Sequence, residues 1–91
     1  MRYLYCYDIA NAKRLHKVSK HLEEKGLRIQ RSFFVCDFEY SEAISLLDGL
    51  KRIIDIKEDS VFMYGICDSC QRKVKAIGDG TYHILEDFRI L

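Results

Sequence analysis

Ninety-one residues, 48% hydrophobic, 12% aromatic and 32% charged, suit one folded domain over 1–91 and exclude intrinsic disorder, because the apolar surface suffices to offset chain entropy. Fifteen Lys and Arg against fourteen Asp and Glu leave a net charge of +1, so binding to nucleic acid has to come from local clusters of cations rather than from bulk charge. No apolar run approaches the roughly 20 residues of a membrane span, and residues 1–8 turn acidic too soon for a secretion signal; a cytoplasmic location is expected.

Residues 2–7 alternate as a strand, with Tyr3, Tyr5 and Tyr7 on one face and Leu4 and Cys6 on the other. Asp8 ends the run and falls in the second series. Asn11 predicts the N-cap of a helix whose apolar stripe is Ala12, Leu15, Val18 and Leu22, with Gly26 as its stop. Residues 27–38 are β-prone but too long for one strand, which predicts two short strands turning near Arg31 and Ser32. Ser41 is the expected cap of a second helix that faces inward through Ile44, Leu47, Leu50 and Ile54. Gly49 weakens that helix by up to about 1 kcal/mol relative to Ala. A charged loop at 55–59 leads into a strand at 60–66. Asp68 or Ser69 then starts a short helix carrying Cys70, Val74 and Ile77, with Cys70 expected to face the core. Gly78, Asp79 and Gly80 predict a turn, and residues 81–91 a final extended segment.

The order β-α-β-β-α-β predicts an α+β, ferredoxin-like sandwich with its core in 1–78 and two helices on one face of an antiparallel sheet. Bulky residues on both strand faces imply cover on both. The expected cover for the second face is another copy of the chain, giving a homodimer. Residues 79–91 would add an extra strand at the dimer or partner interface.

Several residues carry possible chemistry. Asp8 is a carboxylate at the end of an apolar strand, expensive to bury unless it is paired, caps the chain or binds a metal. One carboxylate is too few for magnesium, and two copies of Asp8 across a dimer axis would repair that deficit. Lys13 and Arg14 occupy the first turn of the first helix, and Glu23 and Glu24 its last, against the helix dipole. With Lys17 and Lys20 they form either a phosphate-holding face or an ordinary solvated one. Arg28 and Arg31, with Gln30 and Ser32 beside Arg31, add further positive or polar positions, as does the cluster Arg72, Lys73 and Lys75. Cys6 and Cys36 lie inside strands as small hydrophobes. Cys67-x-x-Cys70 reads as a structural pair or as half of a zinc site shared between subunits, since structural zinc wants four ligands. Arg31 to Phe38 is near the signature of RNA-recognition modules, but its aromatic falls one residue late and both small residues are missing.

The ordered set resembles the CRISPR-associated Cas2 family. It consists of a hydrophobic first strand ending in Tyr7-Asp8-Ile9; a basic helix closed by Glu24-Lys25-Gly26-Leu27-Arg28; Gln30-Arg31-Ser32-Phe33-Phe34, similar to a Q-x-S-V-F element with Phe33 where Val is usual; Asp59-Ser60-Val61-Phe62-Met63-Tyr64; and Cys67-x-x-Cys70. The resemblance covers Tyr3 to about Gly78. It implies a ferredoxin-like homodimer with Asp8 of each subunit facing the axis, and a magnesium-dependent (or manganese-dependent) endonuclease of single-stranded RNA or double-stranded DNA. In those terms Asp8 is the metal ligand and catalytic residue with Tyr7 beside it, and Arg14, Arg31, Ser32 and Phe34 lie near the nucleic acid. Lys13 and Lys17 join them on the basic helix. The family also bridges Cas1 integrase dimers during spacer acquisition, so the same resemblance admits a second reading: a non-catalytic DNA-binding scaffold that meets the integrase through its C-terminal segment.

Overall fold

Alternation decides the first strand. The computed structural model of the chain, which describes residues 1–73, 75–77 and 89–90, places β1 at Arg2–Asp8 with Tyr3, Tyr5 and Tyr7 buried and the even positions more open. The long β-prone run splits as expected, into β2 (Leu27–Gln30) and β3 (Phe33–Asp37), which turn at Arg31 and Ser32. With β4 (Ser60–Ile66) they form one antiparallel sheet in the order β2-β3-β1-β4. This is the ferredoxin-like arrangement that the element order predicts, with the first strand central.

Helix α1 (Ala12–Glu23) begins where the cap residue dictates: the Asn11 side-chain oxygen accepts from the Lys13 and Arg14 amides at 2.9 and 3.0 Å. Only the second half of its apolar stripe, Val18 and Leu22, is buried; Ala12 and Leu15 are exposed. Helix α2 (Tyr40–Lys51) starts just before the expected Ser41, where the Glu42 carboxylate reaches back to the Glu39 amide at 3.2 Å. Its fully buried residues are Ala43, Leu46 and the expected Leu50; the expected Leu47 and Ile54 are partly buried and pack against the core as well. The buried Tyr5 hydroxyl donates to the Ala43 carbonyl at 2.8 Å and ties that side of α2 to the sheet. Tyr5, Phe34, Leu22, Leu50, Val18 and Cys36 form the centre of the core.

Two glycines mark close approaches. A Cβ on Gly49 would lie 2.9 Å from the His21 ring, so the residue that weakens α2 lets α1 pack against it. A Cβ on Gly26 would meet the Cys36 sulfur at 2.5 Å and the Val35 carbonyl oxygen at 2.6 Å. Gly26 thus serves the packing of the α1–β2 connection onto β3. Because the backbone of β3 cannot yield as a side chain does, Gly26→Ala is expected to destabilise the fold by about 1–3 kcal/mol, read as a lower urea midpoint at unchanged slope.

Beyond β4 a single turn of helix, α3 (Asp68–Gln71), leads to β5 (Lys75–Ala76), which pairs in parallel with β6 (Arg89–Ile90). Cys70 is exposed rather than turned to the core, and Ile77 lies past the helix with 82% of its surface open. One turn is too short to bury a face against the sheet. The expected Val74 contact, the 78–80 turn and most of the 81–91 extended segment lie outside the described residues. The part of that segment that is described is β6, the strand beside β5.

Candidate nucleic-acid and metal site

Asp8 closes β1 opposite Ser60 of β4. It is exposed, and among the described residues no hydrogen bond or ion pair engages its carboxylate. Strand alternation puts it on the face of Leu4 and Cys6, away from both helices. Tyr7 is therefore not its neighbour in a site. Its ring is buried on the helix side, 6.2 Å from Phe34, and its hydroxyl donates to the Arg31 carbonyl at 3.1 Å and lies 2.9 Å from the Ser19 hydroxyl. Tyr7 ties the β2–β3 turn and α1 to the sheet, which corrects its expected catalytic role.

The segment following Asp8 is fixed by a residue that sequence reasoning passed over. Asp59 has a side chain with no exposed surface. It accepts from the Ala10 amide at 2.9 Å, the Asp55 amide at 2.8 Å, and Arg14 through Nε at 2.7 Å and a second nitrogen at 3.2 Å. Arg14 also reaches Glu58 at 2.9 Å. The Arg14 guanidinium and the two amides hold the Asp59 carboxyl well below the usual carboxylate range, and the same partnership raises Arg14. Arg14 is thus committed to the protein rather than open to a phosphate.

A lowered folded-state pKa means stability that is fully present above the unfolded value of about 4 and is lost as pH falls from there. Asp59→Asn, which cannot ionise, is expected to be less stable at neutral pH and to show a flatter loss of stability below pH ~4, measured by urea unfolding across that range.

The remaining candidates separate by exposure. Lys13, Lys17, Lys20 and Arg31 are exposed and Ser32 is half-buried, so these can face a polyanion. Phe34 cannot, having no exposed surface and lying beneath the Arg28 guanidinium, 5.0 Å from its ring centre. In a strand only every second residue faces outward, and here that residue is Phe33. It joins Leu4, Cys6, Phe62 and Tyr64 on the open sheet face: Cys6 sits opposite Phe33 and Phe62, Leu4 opposite Tyr64. Phe62 and Tyr64 stack at 6.4 Å with 56% and 52% of their surfaces exposed.

No group of three or more His, Cys, Asp or Glu side chains that could hold a metal ion occurs among the described residues. Asp8 alone offers one hard oxygen donor. Magnesium is commonly held by one or two carboxylates, with phosphate and water oxygens completing its shell, so this donor fits when a second copy supplies another. No helix of the described residues is long and apolar enough to cross a membrane.

A ferredoxin-like α+β domain with an unpaired carboxylate at the end of its central strand and an open aromatic sheet face defines the class of protein. The family model of CRISPR associated protein Cas2 matches residues 1–74. The chain is 40% identical over 81 residues to the CRISPR-associated endoribonuclease Cas2 1 of Chloroflexus aurantiacus, covering 88% of this chain and 87% of that one. It is 34% identical to the CRISPR-associated endonuclease Cas2 of Halalkalibacterium halodurans, covering 96% of each. The crystal structure of Streptococcus pyogenes Cas2 at pH 6.5 superposes with a TM-score of 0.77 at 34% identity, covering 86% of this chain and all of that one. The chain belongs to the Cas2 family.

Proposed function

We propose that two copies of this chain, joined through their open sheet faces, form a magnesium-dependent endonuclease of RNA or double-stranded DNA that serves CRISPR spacer acquisition, with Asp8 of each copy as the metal ligand. The observation that carries the reading is the Asp8 carboxylate: exposed, without a described partner, and on the same face as Phe62 and Tyr64. The names of the relatives, endoribonuclease and endonuclease, support phosphodiester chemistry. Magnesium or manganese, when bound, would neutralise phosphate charge and lower the pKa of a water molecule.

The chain's own residues do the rest. Asp59 fixes Ala10, two residues beyond Asp8, so that the end of β1 keeps its place. Lys13, Lys17 and Arg31 bind the backbone of the nucleic acid, with Ser32 as a hydrogen-bonding neighbour. Contacts of this kind position a strand without reading its bases, so cutting is tolerant of sequence and sensitive to salt. The test is cleavage of single-stranded RNA and of double-stranded DNA by the pure protein, with magnesium and with the metal chelated. Metal-dependent products support the reading; none on either substrate sinks it.

The exposed row Lys13, Lys17 and Lys20 on α1 favours a second reading, in which the dimer is a DNA-binding scaffold that bridges the Cas1 integrase. Binding of DNA and Cas1 by an Asp8→Ala dimer, together with an uncut substrate in the parent, would establish it in place of the first.

A further inference from the structure

The four cysteines fall into two chemical classes. Cys36 is buried, and burial pushes its thiol up to about 11; burial raises Cys6 as well. Both are poor nucleophiles at neutral pH. Cys67 and Cys70 are exposed and share one turn at the start of α3. The Cys67 backbone is still extended, with φ −73° and ψ 166°, and the helix begins at the next residue. Positions i and i+3 of such a turn lie on one side. The Cys67 sulfur is 3.4 Å from the Ser69 hydroxyl.

We propose that Cys67 and Cys70 form a thiol–disulfide exchange site that accepts low-molecular-weight disulfides such as oxidised glutathione, with Cys67 as the attacking sulfur and Cys70 as the resolving one. The Cys67 thiolate attacks one sulfur of the disulfide, forming a mixed disulfide and releasing one thiolate. Cys70 gives up its proton and attacks the Cys67 sulfur, releasing the second thiol. The dithiol is oxidised to the Cys67–Cys70 disulfide, and one small disulfide is reduced to two thiols.

The assignment of roles follows from the surroundings. The Ser69 hydroxyl, and after it the neighbouring Cys70 amide and thiol, lower the Cys67 thiol to about 7, whereas the Cys67 sulfur raises Cys70. An attacking thiol is most effective when its pKa lies near the ambient pH. At pH 7 such a thiol is about half ionised, against a few per cent for an ordinary one. Its lower intrinsic nucleophilicity takes back part of that advantage, leaving about a three- to sixfold faster reaction. The site lies directly after β4, the strand that carries Phe62 and Tyr64, and it is independent of the nuclease reading.

The experiment treats the full reduced chain with oxidised glutathione, quenches with acid, alkylates in denaturant and maps the peptides by mass. The parent is expected to lose two alkylation sites, both in the peptide holding Cys67 and Cys70, with no glutathione retained. Cys70→Ser should hold one glutathione on Cys67, at a rate that rises with pH and is half-maximal near pH 7. In Cys67→Ser, Cys70 should react about three- to sixfold more slowly. Modification of Cys6 or Cys36 as fast as Cys67 would overturn the proposal. So would glutathione that stays on the parent, equal rates for the two serine variants, or stoichiometric zinc on the pair in the purified protein.

Discussion

Asp8→Ala is expected to lower magnesium-dependent cleavage by at least about a hundredfold while leaving the urea unfolding midpoint where it was. The two halves of that expectation have separate causes. A metal that polarises phosphate contributes several kcal/mol to the barrier, and each 1.4 kcal/mol or so is tenfold in rate, so loss of a ligand is severe. Stability is spared because the Asp8 side chain is exposed and engages no described partner, and its strand pairing with Ser60 runs through the backbone. Tyr7→Phe is the control. It should keep the parental rate and lose about 1 kcal/mol of stability, since the hydroxyl that it removes bonds Ser19 and the Arg31 carbonyl on the far side of the sheet. Initial rates against magnesium concentration, with urea curves on the same preparations, read both. Equal rates in Asp8→Ala and the parent would remove Asp8 from the chemistry.

The sheet was legible in the sequence because its signals are local. Alternating tyrosines, an Asn cap and an overlong β-prone run each report on a few neighbouring residues, and β1, α1 and the β2–β3 turn appear where these put them. Asp8 was legible for the same reason, as a charge that ends an apolar run. What escaped depends on residues far apart in the chain. Asp59 meets Arg14 across 45 positions, and in the sequence it is one more acid in a charged loop. The choice between Phe33 and Phe34 turns on which face the helices cover, and a one-residue shift in a strand exchanges the two faces. The inward side of α2 is broader than its periodicity indicates: the expected Leu50, Leu47 and Ile54 pack on the core, and Ala43 and Leu46 join them, on the side where the Tyr5 hydroxyl reaches the Ala43 carbonyl.

Replacing both Phe62 and Tyr64 with Lys is expected to abolish the proposed dimer. The open face has Leu4, Cys6 and Phe33 beside the two rings, and a contiguous exposed apolar patch on a small domain marks an interaction surface. Each half-exposed ring has about 100 Å² left to bury, worth about 2–3 kcal/mol. Two rings on each of two copies supply more than the roughly 4 kcal/mol that a thousandfold change in affinity requires, and buried ammonium groups add a penalty of their own. The dissociation constant should therefore rise by at least about a thousandfold, seen as a monomer by sedimentation velocity at micromolar concentration, where the parent is expected to be dimeric. Phe62 and Tyr64 pack on each other and not on the core, so the substituted chain should stay folded. Asp8 shares this face, and in the proposed dimer the second copy supplies the metal's second carboxylate, so cleavage should fall with the dimer. A folded monomer that cuts at the parental rate would show that one Asp8 suffices and that the open face serves another partner.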